Sequence, residues 1–133
     1  MPTPTPKPYA SWRSDPHERW VDAGNTFGIQ LMRQARDQTL ARIPEGTPDG
    51  VRKLIVDAVH VAIGGMMEIF DGYPPCDVDE THRMAYELRA HVRSTATGET
   101  VETFELAPDG DGLCMGLAGW WTNDFGNSGP ATG

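Results

Sequence analysis

His60 lies three residues after Asp57, and Glu68 and Asp71 follow it at helical intervals. Together with Lys53 and Gly64 they form one stripe, with steps of four, three, four, four and three residues. An imidazole oriented by a carboxylate is the arrangement of a general base, and carboxylates on the same face supply oxygen ligands for a metal ion. Helix geometry limits this chemistry: His60 and Glu68 are two turns apart, about 12 Å along an axis, too far to bind one ion directly. The plainer reading makes the stripe the solvated edge of an otherwise buried helix. Asp57, His60, Glu68 and Asp71 then remain as candidate metal or acid–base groups, and no catalytic residue and no cofactor is assigned.

Two acidic clusters, Asp77-Val78-Asp79-Glu80 and Asp109-Gly110-Asp111, look like fragments of calcium loops, but neither completes the twelve-residue ligand pattern. Turn chemistry accounts for both. Cys76 is followed six residues later by His82, a Cys–His pair without a nucleophile signature around it. Ser11, Ser14, Ser94 and Ser128 fall in terminal segments or at a hairpin end, where a serine nucleophile would not be preorganised. The sequence holds no Walker loop, dinucleotide fingerprint or HExxH. Trp120-Trp121, read on a strand, sends one ring inward and one outward, and an outward Trp is a common anchor for a protein partner.

The balance of charge narrows the partners. The chain carries −8 overall with a pI near 4.8, and residues 67–133 hold 12 acids against 3 bases. Polyanions are repelled by such a surface, so nucleic acid is excluded as a partner and a basic protein is favoured. No apolar run approaches the ~18 residues of a membrane span. Two distant cysteines and the lack of a signal-peptide core point to a reduced, cytoplasmic setting.

The elements that must position these residues follow from capping and period. Prolines at 2, 4, 6 and 8 make residues 1–14 a disordered proline-rich arm, although Tyr9 and Trp12 are able to dock it. Residues 15–125 form a single α+β domain, and 126–133 a flexible tail. Asp15, Pro16 and Glu18 cap a first helix running to about Ile43, with a break expected near Gly24-Asn25-Thr26. A second helix runs from Pro48 to about Phe70 and ends at Gly72-Tyr73-Pro74. Its apolar residues cover about two thirds of the circumference, which predicts a central helix covered on several sides. Gly64-Gly65 within it predicts close approach of another backbone, near Gly24 and Gly28.

After the acidic loop the period changes to two. A hairpin over 84–107 turns at Ala96-Thr97-Gly98, pairs Thr95 with Glu99, and sets Leu88 opposite Leu106, Ala90 opposite Phe104 and Arg89 opposite Glu105. A third strand is expected at 113–121, weakened by Gly116 and Gly119. The expected architecture is two long helices packed on a small antiparallel sheet of about three strands.

The run from His60 to Gly72, HVAIGGMMEIFDG, followed by an acidic loop and a hairpin, is similar to small uncharacterised bacterial proteins of the toxin-immunity type. That resemblance spans about 40 residues and implies a binding role without identifying a site. With the charge, it frames the expected function: a non-catalytic binding protein engaging a basic partner such as a toxin. Asp77, Asp79, Glu80, Asp109 and Asp111 would steer association, and Trp120 or Trp121 would anchor it. A metal-dependent protein using the polar stripe, and a homo-oligomeric subunit joined through the second helix, are the alternatives.

Overall fold

A computed structural model describes residues 3–108 and 112–126. It is an α+β fold of three helices and two small two-stranded antiparallel sheets. The Asp15 carboxylate accepts the Glu18 amide at 3.1 Å and Pro16 takes the first helical position, so α1 begins where the cap chemistry places it. α1 covers residues 16–40: regular helix over Pro16–Leu31, a π-helical turn over Met32–Asp37, and a last turn over Gln38–Leu40. The chain runs through Gly24 without a break, and the one irregularity falls later, at the π turn. Gly28 answers to packing instead: a Cβ there would meet the Trp120 ring at 2.4 Å.

α2, Asp49–Asp71, ends on Gly72 at φ 75°, where the Tyr73 amide donates to the Glu68 carbonyl at 3.0 Å, the left-handed stop that glycine permits. Gly64-Gly65 does not receive a backbone from α1. Gly64 gives room to a Leu117 methyl, 3.8 Å from where its Cβ would stand, and Gly65 has open space.

Two short sheets follow. Cys76–Asp77 (β1) pairs antiparallel with Arg83–Met84 (β2), a ribbon within what reads in the sequence as an acidic loop. Arg89–Arg93 (β3) pairs with Thr100–Glu105 (β4), with Arg89 opposite Glu105 and Ala90 opposite Phe104. The Leu106 amide donates to the Leu88 carbonyl at 2.8 Å and extends that register to Leu88 and Leu106. The turn departs from the expected three-residue loop. Ser94, not Thr95, meets Glu99 (2.9 Å), Gly98 at φ 76° closes on the Ser94 carbonyl (2.8 Å), and the register slips by one between Val92 and Arg93. Side-chain bonds from Ser94 to the Thr97 amide and from Thr97 to the Glu99 amide stabilise this longer turn, and the bulge absorbs the extra residue.

The largest correction concerns residues 113–121. They form no strand: Leu113–Trp120 is a helix, α3. The stretch is almost wholly apolar, so alternation and helical period cannot be told apart in it. Its glycines mark close packing instead of a weak strand: a Cβ at Gly116 would meet the Trp120 ring at 2.5 Å, and one at Gly119 the Asp124 carbonyl at 3.1 Å. The expected three-stranded sheet is therefore a two-stranded hairpin, and α3 packs against both α1 and α2. Ile29, Met32, Ile63, Met67, Leu117 and Trp120 lie in the core that results.

α2 is not covered on several sides either. Only Ile63, Met67 and Asp71 are fully buried, and Leu54 and Val61 keep 70% and 75% of their surface exposed. The buried arc contains part of the polar stripe, and much of the apolar arc faces outward. A helix apolar over two thirds of its surface does not specify which third is covered; α3 decides it.

Residues 3–14 lie along the domain. Thr3 bonds Asp37, the Arg33 guanidinium donates to the Pro4 carbonyl at 2.9 Å, and Lys7 reaches buried Asp22 at 3.5 Å. A single 3-10 turn at Tyr9–Ser11 brings Trp12 edge-on to Phe104, with ring centroids 5.8 Å apart, and lets the Tyr9 hydroxyl bond Glu102. Arg13 holds Asp22 through its amide (2.8 Å) and guanidinium (2.9 Å). Burial pushes the Asp22 carboxyl upward, but the Arg13 hydrogen bonds outweigh it and leave the group below its ordinary value of 3.8.

Two outcomes follow. Gly28→Ala drives a methyl into the Trp120 ring and should cost about 2 kcal/mol or more, whereas Gly24→Ala, with nothing within 4 Å, should gain about 0.5–1 kcal/mol; urea denaturation of both variants measures the contrast. Because the folded-state Asp22 value is depressed, its stabilisation is complete above the unfolded value and lost as pH falls through the folded one. Hydrogen-exchange protection of residues 7–13 should therefore hold down to about pH 4 and fall below it, and Asp22→Asn should weaken protection at neutral pH and flatten this acid dependence.

Candidate functional site

The polar stripe of α2 splits between solvent and core. Asp57 stays exposed and pairs with Lys53 at 3.0 Å. The His60 ring stacks on Trp121, with centroids 4.1 Å apart and planes within 6°. Glu68 is exposed. Asp71 is buried, and its two carboxylate oxygens accept the Leu113 amide (3.2 Å) and the Cys114 amide (2.8 Å). The first amides of a helix have no partner inside it and concentrate positive charge, so Asp71 serves as the N-terminal cap of α3 from another helix.

The far end of α3 is held by the opposite charge. Arg36, buried in the π turn of α1, donates from Nη1 to the Trp121 carbonyl at 2.6 Å and the Trp120 carbonyl at 3.3 Å. Its Nη2 donates to Asn123 at 2.7 Å and to Thr3 at 3.1 Å, and its Nε to Asp37 at 2.7 Å. Sequence reasoning passed over Arg36; its position one helical turn after buried Met32 was the available signal. Trp120 is 3% exposed and its indole N–H donates to Asn25 at 2.9 Å. Trp121 is half-buried between the His60 ring and the Arg36 guanidinium, 5.6 Å from its ring centre. Both rings thus belong to the packing of α3.

A groove of ≈ 350 Å³ runs between α2 and α3, lined by His60, Val61, Gly64, Glu68, Cys114 and Leu117. Burial, and then the hydrogen bond and negative charge of Asp71, push the Cys114 thiol up to about 11, so it stays protonated at neutral pH and is a poor nucleophile. Among the described residues no three His, Cys, Asp or Glu side chains converge as a metal site requires. Cys76 and His82 do not form a nucleophilic pair: Cys76 is placed opposite Met84 in the ribbon, and His82 Nδ1 contacts Asp79 (2.9 Å) and Thr81 (2.9 Å).

The acidic residues at 77–80 lie at a tip formed by β1, β2 and their turn. The Asp77 carboxylate bonds Arg83 at 2.6 Å, and this bond holds it below the usual carboxylate range. Asp79 is likewise lowered, first by the Thr81 amide and then by His82, while Glu80 is exposed. What the sequence did not single out is the apolar exposure along this stretch: Tyr73 and Val78 are 71% and 64% exposed, and Met84 and Tyr86 are exposed as well. Asp109 and Asp111 lie outside the described residues.

Compared with protein-family models, curated proteins and solved structures, the chain matches none. Among the described residues no helix is long and apolar enough to cross a membrane.

The cap and the thiol are testable together. Asp71→Ala leaves two α3 amides without their acceptor and should destabilise the fold by about 1–2 kcal/mol. In the unaltered protein, iodoacetamide at neutral pH should modify exposed Cys76 well before Cys114, and loss of the Asp71 carboxylate should speed labelling of Cys114. Mass spectrometry of the labelled peptides reads both rates.

Proposed function

We propose that this chain is a non-catalytic binding protein that meets a basic protein partner through the tip at residues 73–86, in the manner of an inhibitor or immunity protein. One observation carries the reading. Tyr73, Val78, Met84 and Tyr86 are all exposed within a stretch that also presents Asp77, Asp79 and Glu80 to solvent. Apolar side chains surrounded by charge are the composition of a binding hot spot with a polar rim. Carboxylates on the rim speed encounter with a basic surface, and exposed Tyr73 and Val78 supply the area that is desolvated on contact.

The tip has the rigidity this role asks for. Its turn is closed by the Val78 amide on the His82 carbonyl (2.9 Å) and by the Thr81 amide on the Asp79 carboxylate (2.8 Å), and Arg83 holds Asp77, so these two carboxylates are fixed before any partner arrives. Trp120 is buried and Trp121 is half-buried against His60, so the proposal gives the anchoring place to the exposed Tyr73 and Val78. The excess of acid in residues 67–133 agrees with this class of function.

Affinity capture from the native host at low and high salt tests the proposal. A basic protein should be retained at low salt and released as salt rises. A Val78→Ser, Asp79→Asn, Glu80→Gln triple variant should bind that protein at least tenfold more weakly. Capture of no basic protein, or capture indifferent to the triple variant, would rule the reading out.

A further inference from the structure

The outward face of α2 carries a second pattern, independent of the tip. Val51, Ile55, Ala58, Ala62, Gly65 and Ile69 follow one another at steps of four, three, four, three and four, the spacing of a helix-pairing seam. None of the six is buried. Leu54 and Val61 flank the seam on one side and Met66 on the other, each more than half exposed. The seam is about 27 Å long at 1.5 Å per residue, and the only charges beside it are Arg52 and Glu68.

The order of residues along this seam is self-complementary. Reversed about position 60, Val51 falls on Ile69, Ile55 on Gly65 and Ala58 on Ala62. The outer layers match bulk to bulk or bulk to a gap, and the two central layers are alanine against alanine, which lets two helices approach closely. We infer that two copies of this chain pair antiparallel through the outward face of α2, about a two-fold axis beside residue 60.

Charge and area both favour a second copy. In an antiparallel pair a flanking position meets the same flank of its partner, so Glu68 falls opposite Leu54 and Arg52 opposite Met66, and neither charge meets its like. The seam and its flanks thus carry one charge of each sign on a chain of net −8, so two copies meet here without the repulsion that the net charge would impose. The apolar surface exposed along the face is on the order of 500 Å² per copy, roughly 1,000 Å² across a pair, which reaches the lower bound of a specific interface. Pairing leaves residues 73–86 outside the seam, and it holds whether or not the tip binds a basic protein.

Sedimentation equilibrium on the full chain, with cysteine cross-linking, tests the pairing. The protein should pass from 14.6 kDa to twice that mass as concentration rises through the micromolar range. Ala58→Glu, at an exposed seam position, should raise the dissociation constant at least tenfold while circular dichroism shows the fold unchanged. Val61→Cys, beside the axis, should cross-link to itself under mild oxidation, while Ile69→Cys should cross-link only when mixed with Val51→Cys; the parent chain controls for Cys76 and Cys114. A monomer up to 100-fold higher concentration, a dimer untouched by Ala58→Glu, or Ile69→Cys joining to itself would each overturn the inference.

Discussion

The fold depends on one eight-residue helix being held at both ends by charges that other helices supply. α3 has no charged residue of its own, and its glycines make it a poor helix in isolation. The Asp71 carboxylate satisfies its first amides and the Arg36 guanidinium its last carbonyls, each with the sign the helix dipole favours. Both charged groups are buried, and burial of either would be costly if α3 were absent. The helix and its two clamps therefore require one another. α1 and α2 pack on the clamped helix, and the hairpin joins through α1, where the Trp20 indole N–H donates to the Glu105 carbonyl at 2.7 Å and Arg19 pairs with Glu102 at 2.8 Å.

This clamp also explains what could be read from the sequence. Local chemistry was legible: the Asp15 cap, the Gly72 stop and the pairing of Ala90 with Phe104 rest on residues close in sequence or on a simple period. The facing of α2 was not, because its wheel is apolar through so wide an arc that several orientations bury similar area. The orientation adopted is the one that carries Asp71 to the start of α3. A stripe that looks solvated by composition is thus half interior, and His60 lies against Trp121. α3 itself was illegible for the same reason that it is useful: a run of apolar residues and glycines has no period, and its helical state comes from partners far along the chain.

The candidate site divides along the same line. The carboxylates of the tip were visible as a local excess of acid, and they are at the surface. The exposed Tyr73, Val78, Met84 and Tyr86 were not visible, because an apolar residue in a sequence carries no mark of whether something covers it. Glu105 shows the limit of reading charge pairs by register. It stands opposite Arg89 as expected, yet their charged groups are 3.9 Å apart, and one carboxylate oxygen turns inward to accept the Leu88 (3.0 Å) and Ala107 (3.2 Å) amides.

Arg36 binds Thr3, near the beginning of the chain, and also Trp121 and Asn123, near its end. Two segments separated by more than a hundred residues are thereby tied to one side chain. Termini ordinarily fray on their own, each with its own small opening free energy. Here the proline-rich arm and the segment after α3 share a single hinge pin, so loosening one removes a ligand from the guanidinium that restrains the other. Thr3 and the segment at 121–123 therefore form one cooperative unit, and the arm, whose Trp12 packs against the core, is part of what keeps α3 in place.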